Sequence, residues 1–239
     1  MLILPGKEEK AQYVQKMFNS IAKRYDLMNS LMTFALDRRW RRFVVLRSEI
    51  KEGGRALDIC CGTGMLALEL AKTVGKKGSV IGLDFSEEML KIAQKKLSNA
   101  PYTDTVEFLQ GDAMNLPFED DSFDTVTVAW GLRNVPELDR VISEMQRVVK
   151  PGKKILSLDM AKPSAPVFKQ VYWLYFQKLV PFMGKIWAGK QSAYNYLYGS
   201  SLNFPHQERL TEMFAEAGLK ETKYSDLAGG VVAVVEGRK

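Results

Sequence analysis

A short apolar run that leads directly into a glycine turn is the feature that most constrains how this chain can fold. Residues 55–64 read Arg-Ala-Leu-Asp-Ile-Cys-Cys-Gly-Thr-Gly, and a second apolar run ends at Asp84, about 20 positions after Gly64. Because glycine has no Cβ and tolerates positive φ, the backbone of such a turn can approach a ligand at the carboxyl end of a strand. The acid can accept hydrogen bonds from ribose hydroxyls. The two features predict a pocket for a ligand that contains adenosine.

Short apolar runs alternate with amphipathic stretches through the middle of the chain. The spacing of the apolar residues predicts strands at 56–59, 79–83, 105–109, 125–128 and 154–159, and helices at 64–74, 86–97 and 137–149. Ser86 is expected to cap the second of these helices. Strands and helices that alternate in this way are typical of a parallel sheet with helices on both faces.

The C-terminal part of the chain departs from this alternation. A helix is predicted at 207–217, followed by strands at 219–225 and 230–235 with only a short turn between them. Such a short connection favours an antiparallel hairpin, because a parallel crossover needs a dozen or more residues. We therefore predict an α/β fold with a mostly parallel, seven-stranded sheet that ends in an antiparallel hairpin.

Composition limits the classes of protein to consider. The net charge of +6 is compatible with an anionic membrane or nucleic acid but requires neither. The first apolar residues reach Pro5 too early for a signal peptide, and no apolar stretch is long enough to span a bilayer. We expect a cytoplasmic protein, with peripheral contact at the inner face of the membrane left open. Cys60 and Cys61 are adjacent in the glycine turn, which suits neither a disulfide framework nor a metal site.

The glycine turn resembles motif I of the class I methyltransferases, which use S-adenosylmethionine and have a Rossmann-like fold. Cys60 stands where that motif has its first glycine, which is acceptable if the backbone there does not need positive φ. Asp112 matches the family's turn that presents a carboxylate to the adenine amine, and 121–128 match motif IV. The resemblance implies S-adenosylmethionine as methyl donor, without a metal, and a binding site formed by Asp58, Cys60, Gly62, Thr63, Gly64, Asp84, Phe85, Asp112, Ala113 and Ala129.

Two other classes of protein share parts of this pattern. A nicotinamide enzyme would carry Gly-x-Gly-x-x-Gly, and Ala67 occupies the third position. The segment after Asp112 and the terminal hairpin favour the methyltransferase. The basic segment 38–42, Arg-Arg-Trp-Arg-Arg, can in principle grip phosphates and stack on bases. The chain has no Pro-Pro motif of amino-directed DNA methylases and no cysteine outside the glycine turn, so nucleic acid is not the expected acceptor.

Three further segments resemble the ubiquinone/menaquinone biosynthesis C-methyltransferases. They are Tyr25-Asp-Leu-Met-Asn29 followed by Arg39-Trp40, Gly131-Leu-Arg-Asn-Val135, and 147–152 with the sequence Arg-Val-Val-Lys-Pro-Gly. The likeness covers nearly the whole chain, and within the family it is strongest to the demethylmenaquinone methyltransferases. It implies C-methylation of the ring of reduced demethylmenaquinone, a prenylated quinol. A prenylated methoxy-benzoquinol, or another small molecule methylated on oxygen or nitrogen, remains an alternative, and the oligomeric state is open.

Positions in the chain indicate roles on the acceptor side. Arg133 and Asn134 follow the fourth predicted strand, at the edge where ligands bind in such sheets, and Tyr25 and Asp26 lie at the break between the N-terminal helices. Arg133 is expected to stabilise the oxyanion of the quinol and Asn134 to orient its ring, while Tyr25 and Asp26 cap the acceptor and relay a proton. The family commonly has histidine where this chain has Asp37, so a histidine base at that position is excluded.

We expect four regions within one domain, residues 1–239. They are an N-terminal helical cap at 7–48 with a break at Tyr25-Asp26, a cofactor-binding core at 55–160, an aromatic-rich lid at 163–205, and a C-terminal helix and hairpin at 206–239. Within the lid, 167–180 is apolar almost all round if helical, so it is predicted to cover the prenyl tail, with Trp187, Tyr194 and Tyr198 nearby.

Overall fold

A seven-stranded sheet forms the centre of the computed structural model, which describes residues 7–163 and 191–239. Its strands are β1 Arg55–Ile59, β2 Ser79–Asp84, β3 Val106–Gln110, β4 Phe123–Ala129, β5 Val149–Met160, β6 Lys220–Leu227 and β7 Val232–Arg238. The order across the sheet is β3-β2-β1-β4-β5-β7-β6. Neighbours from β3 to β5 pair in parallel, and β7 runs antiparallel to both β5 and β6. The predicted mostly parallel sheet with an antiparallel hairpin is confirmed.

The helices cover both faces of this sheet. They are α1 Lys7–Met32, α2 Asp37–Arg47, α3 Met65–Val74, α4 Glu87–Leu97, α5 Leu138–Val148, α6 Gln191–Asn203 and α7 Gln207–Glu216, with one-turn 3-10 helices at Leu132–Asn134 and Ala228–Gly230. Ser86 caps α4 as predicted, because its side chain accepts a hydrogen bond from the amide of Met89 at 3.2 Å. The predicted boundaries of the other core helices and strands lie mostly within one to three residues of those observed.

Two buried apolar clusters hold the layers together. On one face, Phe123 and Ile155 of the sheet pack with Met145 of α5 and Phe214 of α7. On the other face, residues of α2 and α3 pack on the sheet, with Leu70 fully buried. Because strand side chains alternate between faces, β1 contributes Leu57 and Ile59 to the first cluster and Ala56 to the second, with Asp58 on the same side as Ala56.

The break predicted at Tyr25-Asp26 is wrong, because α1 continues through both residues to Met32. Neither residue is a proline, so each keeps the backbone N–H that a helix needs. The segment is polar because its side chains contact other parts of the protein. The chain instead turns at 33–36, where Phe34 and Ala35 adopt φ of 51° and 58°. The Thr33 hydroxyl fixes this turn by donating to the carbonyl of Asn29 at 2.7 Å.

The fifth strand also begins earlier than predicted. It starts at Val149, and its pairing with β4 shifts register between the Phe123 and Thr125 pairs, so that the segment with Pro151 and Gly152 forms a bulge. A proline cannot donate to the ladder, which explains why the sequence pattern indicated a strand only from Lys154. The predicted lid helix at 167–180 and Trp187 lie outside the described residues, as does the side chain of Tyr194.

A group of buried charges anchors α2 to the far edge of the sheet. The Arg47 guanidinium donates to both oxygens of Glu236 at 2.7 and 2.6 Å, and Lys154 lies 3.3 Å from the same carboxylate. Glu236 is 2% exposed, and these two cations hold its pKa below the usual range in spite of burial. Removing one partner of a buried ion pair costs about 3–5 kcal/mol, so this group fixes the position of α2. In the described part of the chain, no helix is both long and apolar enough to cross a membrane.

Candidate functional site

The glycine turn at the end of β1 is shaped by three residues with positive φ. Cys60, Gly62 and Gly64 have φ of 50°, 55° and 76°. A Cβ on Gly64 would lie 2.5 Å from the ring of Phe108, so this position requires glycine. From the sequence, cysteine is acceptable at position 60 on the condition that the backbone there does not need positive φ. That condition is not met, because Cys60 lies in the left-handed region, which residues other than Gly, Asn and Asp rarely adopt.

Cys60 is accommodated by a second glycine across the site. A Cβ on Gly131 would lie 2.5 Å from the Cβ of Cys60 and 3.1 Å from its Sγ. The side chain of Cys60 therefore occupies the space that the missing side chain of Gly131 leaves open. Burial, together with the carboxylates of Asp84 and Asp58, raises the pKa of the Cys60 and Cys61 thiols well above the usual value. Neither cysteine forms a disulfide.

Asp84 faces the glycine turn from the end of β2. One carboxylate oxygen accepts a hydrogen bond from the amide of Gly62 at 2.7 Å, and the other accepts one from the amide of Ser86 at 2.8 Å. Burial raises the pKa of Asp84, although these amides favour the ionised form. The turn and the acid, which the sequence predicted as partners, are thus joined directly.

A cavity of about 130 Å³ opens between the turn and the ends of β2, β3 and β4. Its apolar walls include Leu83, Met89, Met114 and Val135. The predicted donor-binding residues that line it are Cys60, Gly62, Asp84, Phe85, Asp112, Ala113 and Ala129. We call it the adenosine cavity, after the ligand that the sequence predicts for this place. Gly64 lies behind the turn against Phe108, where its role is close packing.

A smaller cavity of about 30 Å³ adjoins the other side of the turn and contains Asp58 and Thr63. Asp58 is 1% exposed, and its Oδ1 accepts a hydrogen bond from the Thr127 hydroxyl at 2.8 Å. Its Oδ2 is buried and receives no hydrogen bond of normal length from the described chain, although the backbone amide of Ala67 also stabilises the carboxylate. Burial raises the pKa of Asp58 to about 7, and the hydrogen bonds from the Thr127 hydroxyl and the Ala67 amide only partly oppose this shift.

Arg41 of α2 lines the same small cavity. Its guanidinium is paired with Asp37 at 2.7 Å and lies over the ring of Trp130, 5.1 Å from the centroid. The sequence grouped Arg41 with the other arginines of the basic segment 38–42, which could contact phosphates, whereas Arg41 is 6% exposed. The spacing of Asp37 and Arg41, one helical turn apart, was the signal that this arginine differs from its neighbours. The small cavity therefore presents an anionic and a cationic group.

The largest of the described cavities, about 570 Å³, lies between α1, the 3-10 helix at 132–134, and α6. We call it the acceptor cavity. Its lining includes Tyr25, Met28, Arg133, Asn134 and Tyr196. Tyr25 lines the adenosine cavity and the small cavity as well, so all three spaces meet at its side chain. Burial raises the pKa of Tyr25, which keeps its hydroxyl protonated.

Arg133 is held rigidly at the wall of the acceptor cavity. Its Nη1 donates to Asp159 at 2.6 Å and to the carbonyl of Trp130 at 3.0 Å. Its Nε is buried and has no partner within residues 7–163 and 191–239. The side-chain amide of Asn134 donates to the same carbonyl of Trp130 at 3.0 Å. Asn134 lines both the acceptor and adenosine cavities. Asp159, which was not among the predicted site residues, orients Arg133.

Asp26 is placed differently from the other predicted acceptor residues. It lines the small cavity, where one carboxylate oxygen accepts from the Thr63 hydroxyl at 2.6 Å and the other is paired with Lys96 of α4. Lys96 also donates to the carbonyl of Thr63 at 3.1 Å. These contacts fasten α1 to the glycine turn. A role of Asp26 in proton transfer stays a prediction, and nothing in the sequence pattern pointed to Lys96.

Comparison with known proteins gives consistent results. The model of the family described as the ubiE/COQ5 methyltransferase family matches residues 6–239. A demethylmenaquinone methyltransferase of Desulfitobacterium hafniense is 61% identical, with 97% of this chain and 92% of that protein covered. One from Bacillus subtilis is 43% identical, with 98% of this chain and 100% of that protein covered.

Solved structures support the fold. A SAM-dependent methyltransferase from Thermotoga maritima has a TM-score of 0.65 at 22% identity, covering 94% of this chain and 99% of that one. Another SAM-dependent methyltransferase, from Aquifex aeolicus, has a TM-score of 0.60 at 21% identity, covering 82% of this chain and 88% of that one. With the seven-stranded order and the cavities around the glycine turn, these likenesses confirm the predicted class I fold. The chain belongs to the ubiE/COQ5 methyltransferase family and is an S-adenosylmethionine-dependent methyltransferase.

Proposed function

We propose that the chain transfers the methyl group of S-adenosylmethionine to a ring carbon of reduced demethylmenaquinone. The observation that carries the proposal is the meeting of three cavities at Tyr25, with Arg133, whose buried Nε is unpaired, lining the largest. The curated relatives at 61% and 43% identity carry this activity in their names. The alternatives are a prenylated methoxy-benzoquinol and an O- or N-methylated small molecule.

The residues of the two smaller cavities fit the methyl donor. Asp84 is suited to the ribose hydroxyls and Asp112 to the adenine amine. The buried, unpaired Oδ2 of Asp58 fits a cationic amino group, and Arg41 fits a carboxylate, the two charged groups of an amino acid. The donor supplies a methyl group on a sulfonium, which needs no metal to be reactive. Among the residues described, no group of three or more metal-binding side chains is present.

On the acceptor side, a quinol is chemically suited to attack and a quinone is not. Ionising one hydroxyl places negative charge on the adjacent ring carbon, which then attacks the methyl carbon. The new C–C bond forms as the C–S bond breaks, and the electron pair of that bond leaves on the sulfur of S-adenosylhomocysteine. Loss of the proton from the ring carbon then restores the aromatic ring. Arg133 is suited to stabilise the oxyanion, because Asp159 holds it in place and a preorganised donor costs no reorganisation. Asn134, between two cavities, is suited to orient the ring. Tyr25, protonated at neutral pH, acts as a donor at the junction.

A membrane-facing surface would bring a prenylated substrate to this site. Leu27, Leu31 and Phe34, at the end of α1 and the following turn, are 57%, 38% and 79% exposed. The next exposed residues on α2 are Arg38, Arg39 and Arg42. Apolar side chains beside exposed cations are complementary to an anionic bilayer. The apolar side chains insert into the bilayer, and the cations bind the anionic headgroups. We infer peripheral attachment at the inner face of a cytoplasmic membrane through this surface.

The proposed reaction is tested by incubating the protein with labelled S-adenosylmethionine and short-chain demethylmenaquinol, with a prenylated methoxy-benzoquinol as the competing acceptor. We expect methylation of the naphthoquinol ring carbon, identified by mass spectrometry, and little turnover of oxidised demethylmenaquinone. Label in the benzoquinol alone would assign the activity to the alternative quinol, and label in neither quinol would overturn the proposal.

The pH dependence of donor binding is a test of Asp58. Because its pKa is raised to about 7 in the free protein and a cation favours the carboxylate, binding releases a proton. The affinity for S-adenosylmethionine, measured by calorimetry, should rise roughly 10-fold per unit between pH 5.5 and about 7. Asp58→Asn should bind more weakly and without this slope. His206→Gln removes the one histidine of the chain and should retain the slope. Loss of the slope in this control would show that the pH dependence belongs to His206 and would contradict the role of Asp58.

Replacing Arg133 tests its catalytic role. Arg133→Ala should lower kcat by about 100- to 1,000-fold while the Kd for S-adenosylmethionine changes little, because the oxyanion forms only during reaction. The alanine variant also leaves Asp159 buried without its partner and risks misfolding. Arg133→Lys keeps the charge but loses the Nε donor, and it should fold and still show a large loss of kcat. Equal losses of turnover and donor affinity in the lysine variant would contradict the role.

Attachment through the turn after α1 is tested by co-sedimentation with vesicles. The protein should bind vesicles of phosphatidylglycerol and phosphatidylcholine and bind pure phosphatidylcholine poorly. Phe34→Glu should weaken binding about 10-fold or more, since it removes an inserted aromatic side chain and adds a repelled charge. Gln94→Glu on α4 makes the same change of charge at another exposed position and should bind normally. Equal binding by both variants would exclude this surface.

A further inference from the structure

Tyr196 of α6 carries a buried hydroxyl that the rest of the site does not explain. The residue is 3% exposed, and its hydroxyl has no hydrogen-bond partner in the described chain. Burying a hydroxyl without a partner is unfavourable, and nearly all buried polar groups in proteins are paired. A tyrosine would be replaced by phenylalanine at no cost to packing if the hydroxyl had no use. An unpaired buried hydroxyl on a residue that borders a cavity is therefore a candidate to bind a ligand.

The position of Tyr196 shows where such a partner would lie. Tyr196 lines the acceptor cavity, and it also lines a neighbouring cavity of about 310 Å³ behind the 3-10 helix. Arg133 lines the same two cavities. The Nε of Arg133 and the hydroxyl of Tyr196 are both buried donors left unpaired by the described residues. Each of these two unpaired donors thus belongs to a side chain that borders both cavities.

Contacts within the protein fix the position of Tyr196. Its ring packs against Tyr13 of α1, with the ring centroids 5.6 Å apart. One turn later, the hydroxyls of Ser200 and Ser201 donate to the carbonyl of Leu197, so the helix satisfies its own polar groups there. Burial raises the pKa of Tyr196 to about 12, although the charge of Arg133 opposes this shift. The hydroxyl is consequently a neutral donor on a fixed element.

We propose that Tyr196 is a substrate-binding residue that donates a hydrogen bond to one of the two ring oxygens of the quinol, while Arg133 binds the other. This inference rests on the proposed function. The oxygen beside the methylated carbon becomes anionic during reaction and suits the cationic donor. The opposite oxygen keeps its proton throughout and suits a neutral phenol. The pair of unlike donors thus fixes which ring edge faces the methyl donor.

The first test compares Tyr196→Phe with the unaltered protein. Binding of short-chain demethylmenaquinol, measured by calorimetry in the presence of S-adenosylhomocysteine to prevent turnover, should weaken about 5- to 50-fold. Affinity for S-adenosylhomocysteine should not change. The melting temperature of the ligand-free protein should be equal or higher, because the variant removes an unpaired buried hydroxyl. A lower melting temperature with unchanged quinol binding would show that the hydroxyl is structural and would overturn the proposal.

Ser157→Ala is the matched control. Its hydroxyl is also buried and unpaired among the described residues, and Ser157 lies in β5 and lines none of the four cavities discussed. Removing it should leave quinol binding unchanged. A similar loss of quinol binding in both variants would mean that a buried hydroxyl acts through the fold, which contradicts a specific contact by Tyr196.

The second test identifies the oxygen. A prenylated naphthol that lacks the hydroxyl opposite the reacting one should bind the unaltered protein about 5- to 50-fold less tightly than the quinol does. Tyr196→Phe should discriminate little between the two ligands. Equal discrimination by both proteins would overturn the assignment. Absence of quinol turnover by the unaltered protein would instead reject the proposed function, so the two failures are distinguishable.

Discussion

The pairing of β1 between β2 and β4 is the constraint on which the rest of the structure depends. The parallel ladders set Ile59 beside Leu83 on one side and Val128 on the other, so the three strands end together. The amide of Cys61 then donates to the carbonyl of Leu83 at 3.0 Å, which carries the contact into the glycine turn. Parallel strands with a common end create a crevice at a topological switch point, where ligands of α/β proteins bind. The adenosine cavity is a direct result of this arrangement.

The N-terminal helix forms the opposite wall of the site and is attached mostly by polar contacts. Lys10 donates to the carbonyls of Arg133 and Val135, and Asn19 accepts from the Ser86 hydroxyl. Farther along the helix, Asp26 binds the glycine turn and α4. Each contact joins α1 to a segment that borders one of the three cavities. The helix therefore forms part of the walls of all three cavities as well as their cover.

The sequence predicted the core well because the periodicity of its apolar residues is a local signal. It predicted where strands end, and residues that follow strand ends in a parallel sheet meet at one edge, so seven of the ten predicted donor-binding residues line the adenosine cavity. The break at Tyr25-Asp26 was wrong because polar residues on a helix that faces a cavity resemble a turn. Arg41, Lys96 and Tyr196 were missed, since each acquires its place through contacts between elements distant in the chain.

The two cysteines of the glycine turn have a consequence for the chemistry of this site. A quinol that is oxidised in air becomes a quinone, and quinones react with thiolates to form covalent adducts. The chain has only Cys60 and Cys61, and the burial that raises the pKa of both thiols keeps them in the unreactive, protonated form. The small side chain that fills the space beside Gly131 is therefore expected to react slowly with quinones. Such thiols would protect a protein that handles a redox-active aromatic compound from arylation by its oxidised form.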